Sequence, residues 1–239
     1  MKSNSAIPLA QFINSRDARQ PSSSLEENKL TAQGRIVSVC KVRAAYIHIP
    51  FCFHKCHYCD FFSIAGADDK QEDFVEGLIK ELKYVGSIME APLKTVFIGG
   101  GTPTLLEPSL LARLLHVVAE ELPLANDCEW TVEANPETVT SEVAHVLASE
   151  GVNRISVGAQ SFNLENLKTL ERWHEPNSVS RAINFFLDAG IENYNLDLIY
   201  AIPNQTIEQV ESDLQLAIDL EPKHLSCYAL VYEPNTPLR

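Results

Sequence analysis

From Ala44 onward, short runs of β-branched and aromatic residues alternate with longer stretches whose apolar positions recur at helical spacing. That alternation is the sequence sign of βα units built round a parallel sheet. Six strands are predicted, over residues 44–49, 95–98, 130–133, 154–157, 194–198 and 225–230. Between them, Phe74, Leu78 and Leu82 mark one helical stripe, and Leu111, Leu114, Leu115 and Val118 mark another. Pro108 suits a first helical position, Gly151 and Gly190 suit helix exits, and Thr206 with Gln209 fits a capping box. The fold class is α/β. Six units are too few for the closed eight-stranded barrel, and spacing alone leaves a partial barrel and a doubly wound open sheet both standing.

Residues 1–43 break this pattern. They mix Ser, Asn, Gln, Pro and charge without periodicity, so a leader without fixed structure is expected there, with the folded domain over 44–239. The leader holds seven Lys and Arg against three Asp and Glu, leaving 12 against 29 for the rest of a chain whose net charge is -13. Such an acidic domain offers no electrostatic footprint for nucleic acid. No apolar run reaches the roughly 18 residues of a membrane span, and the start has no signal-peptide h-region. A cytoplasmic protein is the expectation, and its six cysteines then serve metals or catalysis more readily than disulfides. Cys40, Cys128 and Cys227 stand apart from the others and read as ordinary thiols.

The remaining three, Cys52, Cys56 and Cys59, form a C-x3-C-x2-C run directly after the first strand. Three thiolates on one loop can hold three irons of a 4Fe-4S cluster and leave the fourth iron open to a small molecule. Zinc is the competing occupant, with His48, His54 or His57 as fourth ligand, and unligated thiols are a third reading. Downstream, Gly99, Gly100, Gly101, Thr102 and Pro103 follow the apolar run Val96-Phe97-Ile98, where glycines would let a ligand approach main-chain amides that are free to donate. A tight strand-to-helix turn explains them equally well. Glu133 ends the third strand, the end at which ligands gather in parallel α/β folds. Asp197 interrupts a run that otherwise reads as a buried strand, and a carboxylate there needs a partner; an ion pair with Arg172 would supply one. His116, His145 and His174 read as satisfied or solvated, and Trp130, Trp173 and the Phe185-Phe186 pair as core or interface.

Taken with the lead-in Tyr46-Ile47-His48-Ile49-Pro50-Phe51 and the exit Asp60-Phe61-Phe62, the cysteine run resembles the radical SAM superfamily. Within it, the run is similar to the branch of oxygen-independent coproporphyrinogen III oxidase and the HemW-type haem chaperones. The resemblance implies a partial (β/α)6 barrel, a 4Fe-4S cluster on Cys52, Cys56 and Cys59, and S-adenosyl-L-methionine (SAM) chelating the open iron through its amino and carboxylate groups. It assigns Gly100, Gly101 and Thr102 to the SAM amino end and Glu133, in the V-E-x-x-P pattern, to SAM binding. Gln160 in the S-x-G-x-Q-x-F pattern, Arg172, Asp197, Tyr46 and Tyr58 would line the same pocket. Reductive cleavage of SAM, with an electron from a reduced flavodoxin or ferredoxin-type donor, is the implied chemistry.

Two activities follow from the resemblance: decarboxylation of porphyrinogen propionates to vinyl groups, or binding of haem and its transfer to an acceptor protein. The oxidase loop resembles C-x3-C-x2-C-x-C, and Phe61 stands here in place of its last cysteine. The Cys59-Asp60-Phe61 exit is similar to the chaperone type. Family members continue with a C-terminal domain that carries the haem-associated histidine motif, and this chain ends at Arg239, so that domain is expected to be absent.

Overall fold

The computed structural model describes residues 42–239 together with two short strands, β1 (Lys29–Leu30) and β2 (Ile36–Val37), which pair antiparallel with each other. The remainder of the expected leader, Cys40 included, lies outside the described residues. The chain continues through β3 (Ala44–Ile49), β4 (Phe51–Cys52), β5 (Ile64–Ala65), α1 (Gln71–Ile88), β6 (Leu93–Gly100), α2 (Pro108–Glu121) and β7 (Leu124–Ala134). It then forms α3 (Ser141–Ser149), β8 (Arg154–Gln160), α4 (Leu164–Thr169), α5 (Pro176–Asp188), β9 (Tyr194–Tyr200), α6 (Ile207–Asp219) and β10 (His224–Ala229).

β3 and β6 to β10 form one parallel sheet in the spatial order β10-β9-β8-β7-β6-β3. Spatial order follows chain order without reversal, whereas a doubly wound sheet reverses at a switch point. The architecture is therefore the singly wound, partial (β/α)6 arrangement. All six predicted strands are present, several of them longer than predicted.

Successive strand residues point to opposite sides, and the two sides differ in chemistry. Ile47, Ile49, Val96, Ile98, Val132, Ile155, Val157, Leu196 and Leu198 belong to one continuous buried core with the helices. Leu111, Leu114, Leu115 and Val118 of α2 are fully buried in it, as the spacing predicts. In α1 the stripe is displaced from the prediction: Val75, Ile79 and Leu82 are the buried positions, while Phe74 and Leu78 flank them half-buried. The predicted helix ends are also found. Pro108 opens α2, Gly151 and Gly190 take positive φ (96° and 91°), and Thr206 closes a reciprocal capping box with Gln209.

Residues of the opposite register, among them Glu133, Arg154, Ser156, Gln160, Asn195, Asp197 and Ser226, line a cavity of about 550 Å³. The same cavity is lined by Cys52 to Cys56, which follow β3, and by Tyr228 on β10. β3 and β10 are the two edges of the sheet, so one cavity lined by the loop that leaves β3 and by β10 itself requires the sheet to curve round it. The strand pattern of β8 and β9 thus carries two messages, an apolar face for the helices and a polar face for the cavity.

Truncating a residue at the centre of the helix-facing core tests this partition. Leu114→Ala is expected to lower unfolding free energy by about 2–5 kcal/mol, read as a fall in the urea midpoint with no change in slope.

Candidate functional site

The cysteine loop is built by the chain folding back on its own strand. β4 pairs in parallel with β5, placing Phe51 opposite Ile64 and Cys52 opposite Ala65, and the Ile64 amide donates to the Pro50 carbonyl at 2.7 Å. Phe51 is buried with its ring edge-on to Phe74, 5.3 Å between centroids, which fastens the base of the loop to α1. Within the loop, the Cys59 amide donates to the Cys56 carbonyl at 3.2 Å, a tight turn, and both residues line the same cavity. Burial pushes the Cys56 and Cys59 thiols above their ordinary range. Iron binds the thiolate and displaces its proton, so the raised pKa makes cluster loading easier at higher pH.

A second clasp comes from the end of α4. Leu170 caps that helix, Glu171 takes a left-handed φ of 55°, and the amides of Glu171 and Arg172 return to the carbonyls of Lys168 and Leu167 at 3.0 and 2.8 Å. This is a Schellman turn with glutamate where glycine is usual. Glu171 holds the loop: its carbonyl accepts from His54 Nε2, its carboxylate lies 3.4 Å from His57 Nε2, and the Leu170 carbonyl accepts from the His57 amide at 3.3 Å. Trp173 stacks on His54 with centroids 4.3 Å apart.

The same turn sends Arg172 into the cavity. Its Nη2 donates to the Gly158 carbonyl at 2.6 Å, and its Nη1 lies 3.9 Å from Cys56 Sγ. Burial works against the guanidinium charge, but the neighbouring Tyr58 and Cys56 turn the net shift upward. Arg172 Nε is buried and has no partner among the described residues. An orphaned N–H on a buried cation calls for an acceptor brought by a ligand.

Across the cavity stand two carboxylates. Glu133, at the end of β7, accepts from the Gly100 amide at 2.9 Å, and burial, followed by Asp197, raises its pKa above the ordinary value despite that hydrogen bond. Asp197 accepts from Ser156 Oγ at 2.9 Å and from Asn195 Nδ2 at 2.8 Å. The suggested ion pair between Asp197 and Arg172 is not made among the described residues; neutral donors on β8 and β9 satisfy the carboxylate instead.

The glycine turn differs from expectation. Its amides are not free: Gly100 donates to Glu133, while Gly101 and Thr102 donate to the carbonyls of Ile49 and Phe51, each at 2.7 Å. A Cβ at Gly100, whose φ is 111°, would strike the His48 ring, and one at Gly101 would strike the Phe51 carbonyl. The glycines are therefore required by the chain's own close packing. With its amides occupied, the turn is no anion cradle. It sets the Glu133 carboxylate in place, a site suited to a cation. Thr102 Oγ1 lies 3.8 Å from Cys52 Sγ.

Gln160 also lines the cavity and takes a left-handed φ of 64°. The chain beyond it is anchored by Asp213 of α6, which accepts from Ser161 Oγ at 2.6 Å and from the Phe162 amide at 2.7 Å. Tyr58 lines the cavity beside Arg172, and burial raises its phenol pKa. Tyr46 does not line it. Its hydroxyl lies 3.0 Å from His48 Nδ1, and burial, with the Glu133 carboxylate second, pushes its pKa to about 12.

Among the described residues, no group of three His, Cys, Asp or Glu side chains is placed to hold a single metal ion. The histidines offered as zinc ligands are otherwise engaged. His48 bonds Tyr46 and the Phe62 carbonyl, His54 bonds the Glu171 carbonyl through the Nε2 that also lies 3.7 Å from Cys56 Sγ, and His57 faces the Glu171 carboxylate. Thiols standing apart on one loop suit a cluster, whose ligands bind separate irons. The three thiols, the unsatisfied Arg172 N–H and two carboxylates on one cavity thus fit a cluster with a ligand bearing both ammonium and carboxylate groups.

The sequence description of the radical SAM superfamily matches residues 46–217. The chain belongs to the radical SAM superfamily. Its similarity extends to the HemW haem chaperone of Escherichia coli strain K12, 46% identical over 193 residues, which covers 80% of this chain and 51% of the relative. The HemW haem chaperone of Lactococcus lactis strain IL1403 is 43% identical over 196 residues, covering 82% of this chain and 51% of that protein. This radical SAM chain therefore spans about half the length of the curated relatives it matches. Among solved structures, the radical SAM enzyme coproporphyrinogen III oxidase (HemN) of Escherichia coli superposes with a TM-score of 0.76 at 29% identity, covering 83% of this chain and 46% of that one. The partial barrel and the superfamily implied by the cysteine run are confirmed. The superfamily in turn implies a 4Fe-4S cluster and SAM as cofactors.

Arg154, Asn195 and Ser226 of the cavity were not singled out by motif, and Ser156 stood only as the first residue of the S-x-G-x-Q-x-F pattern. Their signal is the period-two alternation of Arg154-Ile155-Ser156-Val157 and of Asn195-Leu196-Asp197, in which every second residue is polar. His174, one of the histidines read from the sequence as satisfied or solvated, is buried and satisfied through Nε2, which bonds the Ala159 carbonyl at 3.0 Å, and burial, then Arg172, depresses its pKa from 6.5 to about 3. Such a histidine stays neutral in the fold and takes up a proton on unfolding, so stability is lost as pH falls from about 6.5 towards 3. His174→Gln is expected to flatten the part of the stability profile between pH about 6.5 and 5, measured by urea unfolding at fixed ionic strength.

Proposed function

We propose that the chain holds a 4Fe-4S cluster on Cys52, Cys56 and Cys59, binds SAM beside it, and serves haem handling in the manner of the HemW-type chaperones. The observation that carries this is the convergence on one cavity of the cysteine loop, the buried unsatisfied Nε of Arg172, and the carboxylates of Glu133 and Asp197. When bound, the cluster supplies one-electron reduction of SAM. The chain's own residues bind and orient. Glu133, fixed by the Gly100 amide, would receive the amino group of SAM and Arg172 its carboxylate, the two groups that one carbon carries side by side. Gln160 and Tyr58 close the sides of the pocket, and Tyr46 supports it from behind through its place beside Glu133.

The identity to the two HemW chaperones, together with Phe61 in place of a fourth loop cysteine, supports haem handling over oxidation. The likeness to the HemN structure keeps coproporphyrinogen III oxidation as a second reading, with porphyrinogen as substrate. A cluster-binding role without SAM turnover is separated from both by whether methionine is released. Haem, a haem-acceptor protein and a reduced flavodoxin or ferredoxin-type donor are the proposed partners. The exposed Phe53, Phe61 and Trp173 leave the loop open on its outer side to such a donor. Among the described residues, no helix is long and apolar enough to cross a membrane. The cytoplasm is the proposed setting, a reducing compartment in which the loop thiols stay available to a cluster.

Anaerobic reconstitution with iron and sulfide, followed by EPR of the dithionite-reduced protein, tests this. A reduced 4Fe-4S signal that shifts on adding SAM, with methionine released, is expected, and Cys56→Ala should abolish the signal. A cluster signal indifferent to SAM would overturn the proposal, as would retention of zinc in place of iron.

A further inference from the structure

Deep to Asp197, five polar side chains from three adjacent strands form one hydrogen-bonded set. Register places Ser156 of β8 beside Asn195 of β9, Asn195 beside His224 of β10, and Asp197 beside Ser226 of β10. Asn195 is 1% exposed and Ser156 7%, so neither is solvated. Asn195 Nδ2 donates to Asp197 Oδ1 and to Ser156 Oγ, both at 2.8 Å, and Ser156 Oγ in turn donates to Asp197 Oδ2 at 2.9 Å. On the other side of the amide, Asn195 Oδ1 receives Ser226 Oγ at 3.1 Å and the Nδ1 of His224. Two acceptors face Nδ2 and two donors face Oδ1, so the amide has a single satisfied orientation and His224 carries its proton on Nδ1.

We propose that Asn195, with Ser156, is a positioning pair that locks Asp197 as an acceptor for paired hydroxyls of the cavity's ligand, which in SAM are those of the ribose. This rests on the SAM reading above and names residues that act on SAM only through Asp197. Each Asp197 oxygen has one donor from the protein, drawn from a different strand, and these two hydrogen bonds hold the carboxylate without an ion pair to Arg172, whose Nη2 donates to Gly158. Asp197 lines the cavity, and its remaining lone pairs accept from O–H groups there. The amino and carboxylate groups of SAM already have partners at Glu133 and Arg172. The hydroxyl pair is the remaining strong donor set on that molecule. A carboxylate already fixed accepts both hydroxyls without first giving up its own freedom.

The set could also exist only to satisfy buried polar groups, and ligand discrimination separates the two roles. Affinities of the cluster-reconstituted, full-length chain for SAM and for its 2',3'-dideoxy analogue are measured anaerobically for the wild type, Asn195→Ala and Ser156→Ala. Cluster absorbance and circular dichroism confirm that each variant is folded and loaded. The wild type is expected to prefer SAM. Each variant should lose about 10- to 100-fold in SAM affinity, the worth of a hydrogen bond to a charged group. The analogue's affinity should change by less than about 2-fold, so the preference collapses. Equal weakening of both ligands, or no change in either, overturns the positioning role. A wild type that binds SAM and the analogue equally overturns it while leaving the SAM site standing, and a loaded wild type that binds neither overturns both. Ser156→Thr, which keeps the hydroxyl, should restore the preference if the O–H group is what matters.

Discussion

Everything in this molecule depends on the two-sidedness of a parallel strand. Side chains alternate across the sheet, and on one side Ile47, Val96, Val132, Ile155 and Leu196 disappear under the helices. That burial stabilises the fold and fixes the register of every strand, since a slip of one residue would exchange the faces. The other side is then committed to polar residues and to the cavity they surround. Glu133, Ser156, Asn195 and Asp197 point inward because their neighbours point outward.

Charge in the cavity is arranged by separation. Arg172 stands beside the cysteines with one N–H unspent, and the two carboxylates stand on β7 and β9 without an ion pair to it. Had Arg172 and Asp197 paired, each would have cancelled the other, and the cavity would offer a ligand little electrostatic purchase. Instead Arg172 is held by a carbonyl and Asp197 by neutral donors. Both charged groups remain available. The glycine turn serves this arrangement indirectly, since the absence of a Cβ lets Gly100 approach His48 while its amide fixes Glu133.

The cysteine loop is not rigid on its own account. It contains little regular structure, and its fixity comes from contacts at both ends: Phe51 on α1 at the base, and Glu171 with Trp173 at the tip. Glu171 accepts a backbone conformation costing about 1–2 kcal/mol for an L residue, and in exchange its carbonyl and carboxylate reach two histidines flanking Cys56. Arg172, the next residue, enters the cavity through the same turn. Loop and cavity are thereby coupled through one pair of adjacent residues.

Much of this was legible in the chain itself. Periodicity located six strands, Pro108, Gly151, Gly190 and Thr206 marked helix ends, and the C-x3-C-x2-C run pointed to iron chemistry before any neighbour in space was known. These features are local, governed by residues within a turn or a pleat of one another. The partnership of Gly100 with Glu133, the clasp of Glu171 on His54, and the choice of Asn195 over Arg172 as companion to Asp197 were not legible. Each joins residues on different elements, or selects among partners that sequence spacing leaves equal. Phe74 and Val75 show the same boundary on a small scale, since a helical stripe predicts a face, but only packing against α2 decides which of two adjacent residues is buried. The sequence by itself determined the elements, their order and the kind of chemistry. The tertiary structure alone decided which polar groups satisfy one another and which are left for a ligand, because that depends on the curvature that brings both edges of the sheet to one cavity.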